Sequence, residues 1–228
     1  MIRKSLAFLT LALSASFASA VPVATSYTFT GADNFTAKEL VSPTDYRNGV
    51  LVDFKLSYTG TFQENAFTVL WFNDSSKTNR HMGPQIGLKA NCGNAAGSSC
   101  TDDLFARGGG TSGGTAFAGS NIEPATPGEF SHLYAYLYKS KEGGNYDRMS
   151  AWLNPTAGAM SDLTKGQINL TFNSGLSSFD TIGFRTANLG STVVTISDLN
   201  ISEVPEPGSV ALMGLALAGL AAARRKRG

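Results

Sequence analysis

The stretch "VLVDFKLSY" places Val50, Val52, Phe54, Leu56 and Tyr58 on one parity and Asp53, Lys55 and Ser57 on the other. A repeat of two fits a pleated strand with one buried face; a helix would bring its apolar positions round every three to four residues. The same alternation returns in "HLYAYLYK", where Leu133, Ala135 and Leu137 oppose Tyr134, Tyr136 and Tyr138, and in "QINLTF", which turns Ile168, Leu170 and Phe172 inward. The run "FTVLWF", Phe67 to Phe72, is continuously apolar, so it is expected to be a central strand covered on both faces, with Trp71 in the core. Gly143, Gly144 and Asn145 in "SKEGGNYD" predict a hairpin turn that returns through "RMSAWL", and "TIGFRT" and "TVVTISDLNIS" supply the last strands. No segment between the ends carries a helical period. The expected fold is all-β, one β-sandwich of jelly-roll type, with no internal repeat and no second domain.

The two ends read differently. Residues 1–20, "MIRKSLAFLTLALSASFASA", join a basic leader at Arg3 and Lys4 to an apolar stretch and a small-x-small site at Ala18 and Ala20. That layout is a secretory signal peptide, so signal peptidase is an expected partner and Val21 the expected mature start. At the other end, Ser209 to Ala223 is uncharged and is followed by Arg224, Arg225, Lys226 and Arg227. Fifteen helical residues span roughly 22 Å against a hydrocarbon core of about 30 Å, a gap that long basic side chains can bridge by reaching the headgroups. The basic cluster places the tip in the cytoplasm and the body outside, transiently anchored to the inner membrane. Ahead of this run, Pro205 and Pro207 fix φ and lack amide donors, so Pro205-Glu206-Pro207 is a stiff, unpaired, extended segment.

Pro-x-Pro, an apolar helix and an arginine cluster, in that order over about residues 203–228, closely resemble the PEP-CTERM sorting signal of Gram-negative bacteria. The resemblance implies that an exosortase, a membrane transpeptidase, cleaves near Pro205-Glu206-Pro207 and delivers the body to the cell surface or the extracellular matrix. The rhythm of strands and turns over roughly residues 130–201 further resembles the concanavalin A-like, laminin-G-like jelly rolls. The expected organisation is a signal peptide at 1–20, a β-sandwich at 21–202 and a sorting signal at 203–228.

Composition bears on partners once the disposable ends are set aside. The whole chain carries a formal charge of +1, but Arg3, Lys4 and the four tail cations account for six of its 18 basic residues. Over residues 21–206, the body as far as the Pro-Glu-Pro segment, twelve basic residues then face all 17 acidic ones, a charge of −5. Nucleic acid, which calls for a basic stripe, is excluded as a partner. Cys92 and Cys100, separated by a Gly/Ser/Ala loop, are expected to form a local disulfide in an oxidising compartment.

No catalytic constellation stands out. A glycosidase needs two carboxylates facing one groove, yet Asp53 and Asp147 read as isolated and Asp102-Asp103 as solvated loop charges within a long Gly-rich loop at 91–126. His81 and His132 lie in no nucleophile motif, and "GGGTSGG" lacks the lysine and helix of a phosphate-binding loop. Neither a cofactor nor a metal is expected, and the chain is not expected to be an enzyme. The reading is an exosortase-processed structural or adhesive protein of the cell surface or biofilm exopolysaccharide matrix. The alternative is a lectin-like module, with or without calcium, in which Tyr134, Tyr136, Tyr146 and Trp152 stack on sugars if their face is open; where two sheets pack instead, these rings are core or edge cover.

Overall fold

Val50, Val52, Phe54 and Leu56 fall in the middle of strand β3 (Gly49–Thr59), and all four are at most 1% exposed. The computed structural model describes residues 21–29, 36–60, 63–91, 101–109, 114–118 and 130–204, of which the strands form two antiparallel six-stranded sheets. Sheet A comprises β1 (Val21–Phe29), β12 (Val193–Val204), β3, β8 (Ser131–Tyr138), β9 (Arg148–Leu153) and β10 (Ile168–Thr171), in that spatial order. Sheet B comprises β2 (Thr36–Tyr46), β11 (Phe179–Ala187), β4 (Phe67–Asn73), β5 (Gln85–Asn91), β6 (Thr101–Arg107) and β7 (Thr115–Ala118). Strand dominates the described residues, and the helical residues described are two short 3-10 turns, Arg80–Met82 and Ala157–Met160.

Proline marks one outermost strand of each sheet. A proline cannot donate to a ladder, so it belongs on an edge or at a break in register. Pro22 lies in β1, the edge of sheet A, beside a register shift between Pro22 and Ala24. Pro43 lies in β2, the edge of sheet B, inside the irregular step between Val41 and Tyr46. The apolar β4 is interior as its composition requires, paired with β11 and β5.

The core lies between the sheets. Phe184 of β11 meets Phe54, Tyr27 and Phe29 at centroid distances of 5.6, 6.1 and 6.2 Å. Phe179 packs against Tyr46, Tyr146 and Phe72 at 5.0–5.4 Å. Such offset and tilted rings add to the area that they bury.

Two sequence expectations change here. The segment 91–126 is not a single loop, because β6 and β7 both lie within it. Leu104 and Ala106 of β6 face the core and are fully buried, and Asp103, on the opposite parity, is 1% exposed and no solvated charge. Runs of glycine on either side hide these strands from any reading by composition. The expected boundary after residue 202 also falls inside β12, which pairs Glu203 with Val50 and Val204 with Gly49. Glu203 accepts from the amides of Arg47 (2.8 Å) and Asn48 (3.2 Å) at the β2–β3 turn. The chain meets Pro205 directly after the last rung, and a residue without an amide proton cannot extend the ladder.

The expected signal peptide, with Ala18 and Ala20, the Cys92–Cys100 pair and residues 205–228 lie outside the described residues. Among the described residues no helix is long and apolar enough to cross a membrane.

Candidate functional site

Each sheet has an outer face, and the two differ in chemistry. On sheet A that face carries His132, Tyr134, Tyr136 and Tyr138 from β8, beside Asp53 and Lys55 from β3. The three tyrosines share one side as the alternation predicts, with Tyr134 and Tyr138 half-buried and Tyr136 covered. Tyr136 is 4% exposed, and its ring fills the space above Gly49, where an added Cβ would sit 2.9 Å from Cζ. Tyr138 stacks on it at 4.9 Å, and Trp152 is only 2% exposed. Tyr146 is a core residue at 0% exposure, its hydroxyl directed at the carbonyls of Asn48 (2.6 Å) and Tyr46 (3.1 Å).

Asp53 and Asp147 are not isolated. Asp53 Oδ1 lies 3.2 Å from His132 Nε2 and accepts from Asn200 Nδ2 at 3.2 Å, and the Tyr134 hydroxyl lies 3.2 Å from His132 Nδ1. Asp147 accepts from the Ser140 amide at 2.8 Å and pairs with Arg148 at 3.2 Å. Lys55 pairs with Asp198 at 2.8 Å, which holds its ammonium above the usual lysine range through that bond. On this face opposite charges meet and settle one another.

The outer face of sheet B follows from parity and register. One row across it reads Arg185 (β11), Val69 (β4), Gly87 (β5), Phe105 (β6). Two large side chains thus flank a valine and a glycine, and the surface dips between them. Gly87 is required there, since a Cβ would lie 2.0 Å from the Thr68 carbonyl oxygen. The next row reads Trp71, Gln85, Arg107, and the one on the other side Phe67, Lys89, Asp103. The result is a groove of about 220 Å³ lined by Asn65, Phe67, Gln85, Lys89, Phe105, Arg107, Arg185 and Asn188.

Among the described residues the lining carries three cations and no carboxylate. The Arg185 guanidinium lies 4.9 Å from the Phe67 ring centre and that of Arg107 lies 5.7 Å from Phe105. Burial holds Arg185 below the usual arginine range, and the charge of Arg107 adds to the effect. Burial lowers Lys89 likewise, reinforced by Arg107 and opposed by Glu64. Burial and then Arg185 lower His81, which keeps it neutral at neutral pH. Lys89 Nζ donates to Asn65 Oδ1 (3.3 Å), Arg107 Nε to Thr115 Oγ1 (3.3 Å) and Gln85 Nε2 to the His81 carbonyl (2.6 Å). Like charges held together at partial burial raise the free energy of the empty protein, and an anionic ligand would relieve that cost.

A larger depression of about 520 Å³ lies at the end of the sandwich among Arg47, Asn48, Lys139 and Glu142. Its lysine is already engaged: Lys139 Nζ donates to the carbonyls of Arg47 (2.6 Å) and Ser177 (2.7 Å) over the Tyr146 ring. That hollow reads as a clasp between turns. Among the described residues no three His, Cys, Asp or Glu side chains come together as a metal site.

None of the groove residues was singled out by sequence reasoning. The alternation in "QIGLKAN" and "LFAR" marks Gln85, Lys89, Phe105 and Arg107 as outward, but nothing local says that Arg185, from 78 positions later, joins Arg107.

Comparison with known proteins agrees with both ends of this picture. Residues 203–227 match the PEP-CTERM protein-sorting motif, which marks the chain for exosortase processing and delivery to the cell surface. No curated protein matches the chain. Among solved structures, the exoplasmic/lumenal domain of VIP36 aligns with a TM-score of 0.52 at 8% identity in its Ca2+/Man2-bound form, covering 82% of this chain and 80% of that one. The same domain in its Ca2+/Man3GlcNAc-bound form aligns at 0.51 and 11% identity, covering 82% and 81%. The body therefore has a concanavalin A-like jelly-roll fold.

Proposed function

We propose that this chain is a non-catalytic surface or matrix protein that binds extracellular polysaccharide through the groove on the outer face of sheet B. The observation that carries the reading is the groove itself, where the amides of Asn65, Gln85 and Asn188 and three cationic side chains converge beside the Phe67 and Phe105 rings on a rigid sheet, polar groups set against an apolar wall as a carbohydrate ligand requires. The sorting motif supports a destination where polysaccharide is abundant, and the VIP36 forms that share the fold were captured with Ca2+ and mannose-containing glycans. On this reading the chain crosses the inner membrane of a Gram-negative bacterium, loses its signal peptide after Ala20, closes a Cys92–Cys100 disulfide, and is released from its tail near Pro205-Glu206-Pro207.

Affinity electrophoresis of the chain through gels containing polysaccharide from the producing cells tests the reading, with and without a chelator. Retardation that Gly87→Val abolishes is the expected result; unretarded migration in every polymer rejects it. Retardation lost only on chelation would instead assign binding to a calcium site outside the groove. Mass spectrometry of the mature protein tests processing, since a terminus still carrying Arg224 to Gly228 in cells that possess exosortase rejects it.

A further inference from the structure

We infer that the groove takes an acidic unit, so that the polysaccharide recognised is polyanionic and its carboxylate or sulfate docks between Arg107, Arg185 and Lys89; the inference rests on the glycan-binding reading above. A neutral sugar is held by stacking on a bare aromatic ring. Here both rings are taken, Phe67 lying under the Arg185 guanidinium and Phe105 under that of Arg107, with Phe105 only 4% exposed. The groove therefore offers guanidinium groups where a neutral-sugar site would offer phenyl faces. A planar fork of donors matches a carboxylate, and a guanidinium already restrained against a ring loses little further freedom on binding.

The placement of charge points the same way. A body carrying −5 gathers three of its twelve basic residues around one depression. Among the described side chains the neighbouring acids are Glu64, whose field acts on Lys89, and buried Asp103, which faces Lys89 across β5–β6. Both stand at the Lys89 end, so Arg107 and Arg185 form the more positive end. At about 220 Å³ the groove is smaller than the ~300–1,000 Å³ pockets that enclose drug-sized ligands. It suits one unit of a chain that continues outside it.

The test compares polymers that differ in charge alone. The full chain, in a non-ionic detergent, is titrated with polygalacturonate and with its fully methyl-esterified form, then with hyaluronate, dextran sulfate and unmodified dextran. Binding to at least one acidic polymer about ten-fold tighter than to its neutral counterpart, weakened at least ten-fold by Arg107→Gln with Arg185→Gln and suppressed at about 0.5 M salt, is the expected result. Circular dichroism confirms that the double variant is folded, and Arg107→Lys, which keeps the charge without the fork, should fall between. Equal binding of charged and neutral polymers, lost in Gly87→Val, would overturn the acidic specificity and leave the glycan-binding reading standing. Binding of no polymer by a folded chain overturns both.

Discussion

The two outer faces of the sandwich are built from the same kind of strand and differ in how charge is handled. On sheet A, Asp53 meets His132 and Asn200, Lys55 meets Asp198, and Tyr136 and Tyr138 stack on each other. On sheet B, Lys89, Arg107 and Arg185 share one groove, where burial first and the charge of Arg107 second lower the proton affinity of Lys89 and Arg185. A face whose charges are internally matched contributes stability and asks for no ligand. A face that gathers one sign of charge gives up some stability and gains a site. Fold alone does not make this distinction, since both faces belong to one jelly roll.

The comparison can be broken most severely at what the faces share. Phe184→Ala removes the ring that Tyr27, Phe29 and Phe54 rest on and should cost about 3–5 kcal/mol. Thermal unfolding would show it, with polysaccharide retention and the His132 resonances failing together. A face-specific defect would mean that the sheets are less coupled than the core implies.

Gly87→Val acts on sheet B alone. Its Cβ would meet the Thr68 carbonyl at 2.0 Å and the Val69 Cα at 2.7 Å, so β4 and β5 must part, at about 1–3 kcal/mol. Polysaccharide retention should vanish while the sheet-A resonances of His132 and Tyr134 stay in place. Asp53→Asn is the converse. It weakens a partly exposed contact, so about 1 kcal/mol or less should be lost in denaturant titration, with retention unchanged. A loss of retention there would move the site to sheet A.

Arg107→Gln sharpens the contrast. Relieving repulsion on Arg185 and Lys89 should leave stability unchanged or raise it by about 0.3 kcal/mol while binding weakens, the opposite pairing to Asp53→Asn. Acid gives the smallest effect. A side-chain bond from Ser75 holds Asp180 below the usual carboxylate range, and one from Ser76 does the same for Asp74. With depressed folded-state values, their stabilisation is complete above the ordinary pKa of 3.8 and is lost as pH falls below it. Amide exchange at Ser75 and Ser76 should therefore accelerate below about pH 4, relative to its intrinsic rate, with sheet A unchanged.

Much of the body was legible because burial has a period. The inward residues of β3, β8 and β10 follow from alternation, and the apolar β4 is interior. The early strands escaped detection where Pro22 and Pro43 interrupt them, and β6 and β7 where glycine surrounds them. The tyrosine face was placed on the correct side of β8, while its accessibility stayed open in the sequence, because the exposure of Tyr136 depends on the absence of a side chain at Gly49 on another strand.

The sequence by itself determined the class of the body, the parity of its strands and the sorting motif at its C-terminal end, since alternation, proline geometry and ordered blocks of charge are local properties. Strand order and register are not local. Whether Arg185 stands across from Phe105 depends on β11 pairing with β4, β4 with β5 and β5 with β6, and a slip of one residue would reverse the side chains between core and surface. Only the tertiary structure decided that three cations and two rings, drawn from four strands, would share one groove.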